Sequence, residues 1–114
     1  MDFDSGDVVF VPFPYREQLR ESVRPAVVLS RREFNRRGDL IIAAITSHSS
    51  RNSLDVELVD WQQANLLKPS TARMLIATVA DVRVLHKVGR LSDRDWSQLV
   101  SRLTQVLDIE CGED

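Results

Sequence analysis

The strongest constraint on this chain is the order of its apolar segments. Short β-type runs come first, and a single amphipathic helix closes the sequence. Val8–Phe13 is nearly continuous in β-branched and aromatic residues, and Pro12 and Pro14 punctuate its end. Arg24–Ser30 (RPAVVLS) is a second run, with Pro25 near its start as at a strand beginning or an edge. Leu40–Thr46 (LIIAAIT) is apolar almost throughout, the pattern of a strand buried on both faces. Leu54–Val59 alternates, with Asp55 and Glu57 on what reads as a wet face. Met74–Val79 is a fifth run, and Val82–Leu85 or Val88–Leu91 supplies a last short strand. Gly38, between Arg37 and Asp39, provides the positive φ of a tight turn. Asp60–Leu66 reads as a short helix capped by Asp60.

The closing helix has the clearest signal. Ser92 stands at the N-cap, and Asp95 three residues on completes a capping-box-like pair. Trp96, Leu99, Val100, Leu103, Val106 and Leu107 then recur at helical spacing over residues 93–107. Core packing is the plain reading of that stripe. Strands first and one helix last predict a mainly β domain, a small barrel with a packed C-terminal helix, over residues 1–114. At 114 residues and 43% hydrophobic, the chain has material for one packed core and not two.

Several classes are excluded. The longest purely apolar run, Leu40–Ile45, is far short of the roughly 20 residues of a membrane-spanning helix. The acidic N-terminus has no basic n-region of a signal peptide, so a cytoplasmic location and no membrane partner are expected. A lone Cys111 allows neither an internal disulfide nor a cysteine metal cage. His48 and His86 have no ligand spacing, so neither metal nor cofactor is expected.

The net charge of −2 does not suggest a nucleic-acid binder, but its distribution does. Both ends are acidic, and all 15 bases lie between them; 13 of those are arginine. Residues 16–37 alone hold seven arginines against three acids. Arginine grips phosphate with a planar, bidentate fork, so the arginine-rich middle makes phosphate recognition worth pursuing. Segment 14–23 is polar and long for a plain hairpin, and such loops are often functional.

The motifs GDVVFVPFP at 6–14, RPAVVLS at 24–30, AAITS at 43–47, LLKPSTAR at 66–73 and VGRLS at 88–92, taken in order, resemble the MazF/PemK family of toxin endoribonucleases. The resemblance runs from about Gly6 to the final helix. It implies an SH3-like β-barrel with a C-terminal helix, acting as a homodimer. It also implies metal-independent cleavage of single-stranded RNA at preferred sequences, leaving a 2′,3′-cyclic phosphate and a 5′-hydroxyl. A cognate antitoxin with an extended acidic C-terminal segment is the implied partner, and DNA binding belongs to their complex.

In the MazF branch the arginine opening the second strand and the threonine ending the third are catalytic; they correspond to Arg24 and Thr46. The chemistry suits them. Attack by the 2′-hydroxyl needs a proton acceptor, a cation for the phosphorane oxygens and a proton for the leaving oxygen. Arg24 fits the second task and is a poor acid in water. Thr46 and Ser47 add hydroxyl donors. The base is open. Glu17 and Glu21 are candidates by their place in the 14–23 loop, His48 by following Ser47; for each, a solvated side chain is the plainer reading. His86 reads as structural or exposed. Arg16, Arg20, Lys68 and Arg73 are candidate phosphate contacts, and Tyr15 could stack a base. Trp61 and Trp96 read as core or interface.

Two departures from the family stand out. Ala44 replaces a proline common before the Ile-Thr pair. A plasmid-borne branch uses an arginine and, two residues on, an aspartate. Arg73 matches the arginine, but Leu75 replaces the aspartate, so that mechanism does not transfer. Two other functions compete. A gyrase-binding toxin resembling CcdB would use a tryptophan in its C-terminal tail, and residues 110–114 have none. A non-catalytic RNA- or peptide-binding SH3-like module would keep the basic loop without needing Arg24 or Thr46.

Overall fold

In the computed structural model, residues 2–14, 22–50 and 52–109 are described. Six strands form one antiparallel sheet: β1 (Asp7–Phe13), β2 (Ser22–Val28), β3 (Asp39–Thr46), β4 (Val56–Glu57), β5 (Thr71–Ala80) and β6 (His86–Arg90). Their order across the sheet is β4-β5-β3-β2-β1-β6, curled into a half-barrel whose edges are β4 and β6. Two helices complete the fold, α1 (Arg32–Asn35) and α2 (Asp93–Val106). None of the described helices is long and apolar enough to cross a membrane.

The apolar residues separate into two clusters, not the single core expected. Val8, Val27, Ala43 and Ile45 join Leu66, Leu91 and Leu99 in one. Val9, Val11, Ala26, Val28, Ile42 and Ala44 form the other with Phe3, Leu40 and Val84. The period-2 alternation of side chains explains the split, since β1, β2 and β3 are apolar at consecutive positions and so bury both faces. Each fully buried Val, Leu or Ile contributes about 1.5–3 kcal/mol of transfer free energy.

Helix α2 covers the first cluster through Leu99, fully buried, with Trp96 and Leu103 partly so; Trp61 packs on the same cluster. The Ser92 hydroxyl accepts from the Asp95 backbone N–H at 3.2 Å, as the cap requires. Asp95 does not reach back toward Ser92 as a capping box would. Its buried carboxylate accepts instead from the backbone N–H groups of Val59 (3.0 Å) and Asp60 (2.8 Å), docking the helix onto the preceding turn. The helix ends at Val106, one residue before the expected limit.

That docking overturns the helix expected over Asp60–Leu66. Residues 59–65 form turns, and Asn65 takes a left-handed φ of 64° that no helix interior tolerates. The Asp60 carboxylate caps nothing; Arg94 holds it with two hydrogen bonds of 2.7 and 2.8 Å. Two strand expectations also change. The alternating run 54–59 contributes only Val56–Glu57, because Asp55 is buried near Arg73 and Leu58 bonds to Ser70 outside the ladder. Residues 81–83 form a 3-10 turn, so the last strand is His86–Arg90. Helix α1 is an addition: buried Asn35 donates to the Phe3 and Ser30 carbonyls at 3.0 and 2.9 Å, fixing that corner. Gly38 has the expected positive φ, 106°.

The Asp60–Arg94 pair gives the fold a pH-dependent component. Hydrogen bonding from Arg94, then from Ser92, lowers the Asp60 pKa to about 2 from 3.8. A lowered carboxylate pKa stabilises the fold above the unfolded value and loses that contribution as pH falls through the folded one. The midpoint of urea unfolding of the wild type should therefore fall more steeply between pH 4 and 2 than that of Asp60→Asn. Parallel profiles would remove Asp60 from the account of acid stability.

Candidate functional site

The antiparallel register of β2 and β3 pairs Ala26 with Ala44, Val27 with Ala43 and Val28 with Ile42. Arg24 precedes the paired stretch on β2 by two residues, and Thr46 follows it on β3 by two. Twenty-two positions apart in the chain, both residues line one open cleft of about 580 Å³.

Each surrounding element contributes. Its β1 and β2 residues are Phe10, Arg24 and Pro25; the end of β3 gives Ala44, Ile45 and Thr46, followed by Ser47 and His48. From β5 come Arg73 and Leu75, and from β6 His86 and Val88. The segment Asn65–Lys68, with Ser70, forms a rim. The apolar surfaces of Phe10, Pro25, Leu66, Leu75 and Val88 suit a nucleobase or sugar as well as they suit each other.

That rim is held by β6. The Asn65 side-chain amide donates to the Val88 carbonyl at 3.1 Å. Gly89 makes the approach possible, because a Cβ there would stand 2.4 Å from the Ala64 carbonyl oxygen. The Ser70 hydroxyl donates to the Lys68 carbonyl at 2.8 Å and shapes the turn around Pro69. Lys68 itself is exposed.

The cleft is cationic. Among the described residues its charged members are Arg24, Lys68 and Arg73, with no carboxylate. Arg24 is exposed. Arg73 is half-buried, with its Nε 3.9 Å from Asp55 Oδ1. That Nε is buried without a hydrogen-bond partner among the described residues. The Thr46 hydroxyl oxygen accepts from the His48 backbone N–H at 3.2 Å, which leaves its own proton free to be donated. Ser47 and His48 are exposed beside it.

Of the residues singled out in the sequence, Arg24, Thr46, Ser47, His48, Lys68 and Arg73 come together here. Tyr15, Arg16, Glu17, Arg20 and Glu21 lie outside the described residues. His86 and Phe10 join the site without having been singled out for it. The His86 ring stands edge-on to Phe10, with centroids 5.0 Å apart and planes at 74°. A single histidine in a short polar strand carries no local signal; it reaches the cleft because β6 pairs His86 with Phe10 on β1.

Known structures share this architecture. The fold matches an endoribonuclease in complex with its cognate antitoxin from a Mycobacterial species, with a TM-score of 0.77 at 14% identity, covering 96% of this chain and 99% of that one. It matches MazF in a MazE-MazF crystal structure from Deinococcus radiodurans with a TM-score of 0.77 at 17% identity, covering 96% and 100%. The Mycobacterium tuberculosis toxin MazF-mt6 matches with a TM-score of 0.73 at 17% identity, covering 92% and 99%. No curated protein matches the sequence. Residues 4–107 do match a family model, and on that match the chain belongs to the PemK-like, MazF-like toxins of type II toxin-antitoxin systems.

Proposed function

We propose that this toxin is a metal-independent endoribonuclease that cuts single-stranded RNA by attack of the RNA's own 2′-hydroxyl on the adjacent phosphorus. The observation that carries the proposal is the meeting of Arg24 and Thr46 in one open, cationic cleft.

The reaction follows from what those groups can do. The 2′ oxygen loses its proton and bonds to phosphorus, the bond to the 5′ oxygen breaks, and that oxygen takes up a proton. The products are a 2′,3′-cyclic phosphate and a 5′-hydroxyl. Negative charge gathers on the non-bridging oxygens as the phosphorane forms. The Arg24 guanidinium, always charged and planar, is placed to stabilise it. The Thr46 hydroxyl, oriented by the His48 amide, and the neighbouring Ser47 hydroxyl donate to the same oxygens. Lys68 and Arg73 attract the flanking phosphates, with Arg73 partly restrained by Asp55. Specificity would come from bases unstacked against the apolar lining.

An antitoxin with an extended acidic segment would fit the same cationic cleft, in keeping with the antitoxin-bound structural neighbours. A homodimer sharing the RNA path is part of the same proposal. The test is direct. Purified protein incubated with a long single-stranded RNA in excess EDTA should yield discrete fragments carrying cyclic phosphate and 5′-hydroxyl ends. Intact RNA, or cutting that requires added metal, would contradict the proposal.

A further inference from the structure

The reaction proposed above leaves two proton transfers without a side chain. Arg24 remains charged and makes a poor acid, and the threonine and serine hydroxyls are too weakly acidic and basic to do this work unaided. Among the described residues lining the cleft, His48 and His86 carry imidazoles, a group able both to take up and to give a proton, and no described carboxylate lines it.

Their positions in the sheet match the task. The strand order β3-β2-β1-β6 places the Arg24-bearing strand between the end of β3, which leads into His48, and β6, which carries His86. Both histidines line the cleft that Arg24 and Thr46 also line. In-line displacement has the attacking and leaving oxygens on opposite sides of phosphorus, so it calls for a proton acceptor and a separate proton donor within one cleft.

The His86 ring is packed, and the His48 backbone is fixed beside Thr46. His86 sits on a strand, with its ring edge-on to Phe10 in the directly paired position of β1. His48 is tied through its backbone N–H to the Thr46 hydroxyl, a group that contacts the phosphate in the proposed reaction. The charged groups facing them from the other cleft elements are Arg24 on β2, Arg73 on β5 and Lys68 on the rim, all cationic. Lys87, beside His86 in sequence, is paired with Asp7.

We infer that His48 and His86 form an acid–base pair for RNA cleavage, one neutral imidazole taking the 2′ proton and the other, as imidazolium, protonating the departing 5′ oxygen. The proton count balances, since one proton is taken and one given; exchange with water restores both rings. The inference rests on the endoribonuclease reading and adds to it the identity of the proton-transferring groups.

The experiment uses the full-length protein, a cleavable RNA oligonucleotide and its analogue with sulfur in place of the 5′ bridging oxygen at the cut. A thiolate leaves without a proton, so a missing acid ceases to matter. His48→Gln and His86→Gln should each lower kcat on the ordinary RNA by about 10²–10⁴. RNA binding should change little. On the sulfur analogue one of the two variants should recover most of its loss and the other should not, which also assigns the two roles. Near-wild-type kcat in either variant, loss explained by weaker binding, or recovery of both or neither overturns the pair. If the wild type cuts and Arg24→Ala does not, those results refute the histidine pair alone; if the wild type cuts nothing, the endoribonuclease reading falls with it.

Discussion

Arg24→Ala should reduce the rate of RNA cleavage by about 10²–10³ at saturating substrate, the usual loss when one preorganised donor to a developing oxyanion is removed. The loss should appear in kcat more than in binding, because Lys68 and Arg73 remain to hold the flanking phosphates. Arg24→Lys should recover only a small part, since an ammonium keeps the charge without the planar fork. The exposure of Arg24 makes the comparison clean: no core contact is lost. Thr46→Ala should also lower kcat, by removing a hydroxyl whose oxygen is already engaged by the His48 amide and whose proton is free for the phosphate. The two losses need not add, because both residues act on the same oxygens. Single-turnover cleavage of a labelled oligonucleotide measures all three variants. Rates within a few-fold of wild type in Arg24→Ala would remove the centre of the proposed site.

Asp95→Ala should have the largest effect on stability. Its carboxylate is 1% exposed and accepts two backbone N–H bonds, from Val59 and Asp60. Each hydrogen bond to a charged group is worth about 1.5–3 kcal/mol, and truncation removes the acceptor of both part-buried bonds, so a loss of about 3–5 kcal/mol is expected. Against a typical domain stability of about 5–15 kcal/mol, this is a large fraction. At this chain length it lowers Tm by roughly 12–25 °C. Asp95→Asn keeps a carbonyl acceptor and should cost less. A thermal melt of the three proteins at neutral pH decides it; an Asp95→Ala protein melting within a few degrees of wild type would mean that α2 docks through its apolar face alone.

The legible parts of the fold were those whose signal is local and periodic. The unbroken apolar run of β3 and the 3.6-residue repeat of α2 survive in the structure almost residue for residue. The misread parts depend on contacts distant in sequence. Asp60 looks like an N-cap until Arg94, 34 residues later, takes its carboxylate. Asp55 looks like the wet side of a strand until Arg73 approaches it. α1 owes its place to Asn35 reaching back to Phe3, a bond that no helical period announces. The split core follows from a rule visible in the sequence: strands apolar at consecutive positions bury both faces.

The candidate site divides in the same way. Arg24 and Thr46 stand out because each belongs to a motif near a strand end, although β2 begins at Ser22 and so places Arg24 inside the strand and not at its opening; the pairing of β2 with β3 sets their two strands side by side. His86 has no such context. It enters the cleft through the pairing of β6 with β1, at the opposite end of the chain, and a strand edge assigned by sheet order cannot be inferred from five residues. Arg16, Glu17, Arg20 and Glu21, the candidates from the 14–23 loop, lie outside the described residues.

The central claim is that the cleft makes RNA break itself. An oligonucleotide spanning a mapped cleavage position, with a single 2′-deoxy sugar just before the scissile phosphate, tests it with one atom. The protein should bind this oligonucleotide as it binds the all-ribose form and leave it intact while cutting the latter to a 2′,3′-cyclic phosphate. Cleavage of the deoxy-substituted strand at the same bond would show that the attacking oxygen comes from elsewhere, and the mechanism assigned to Arg24 and Thr46 would be wrong.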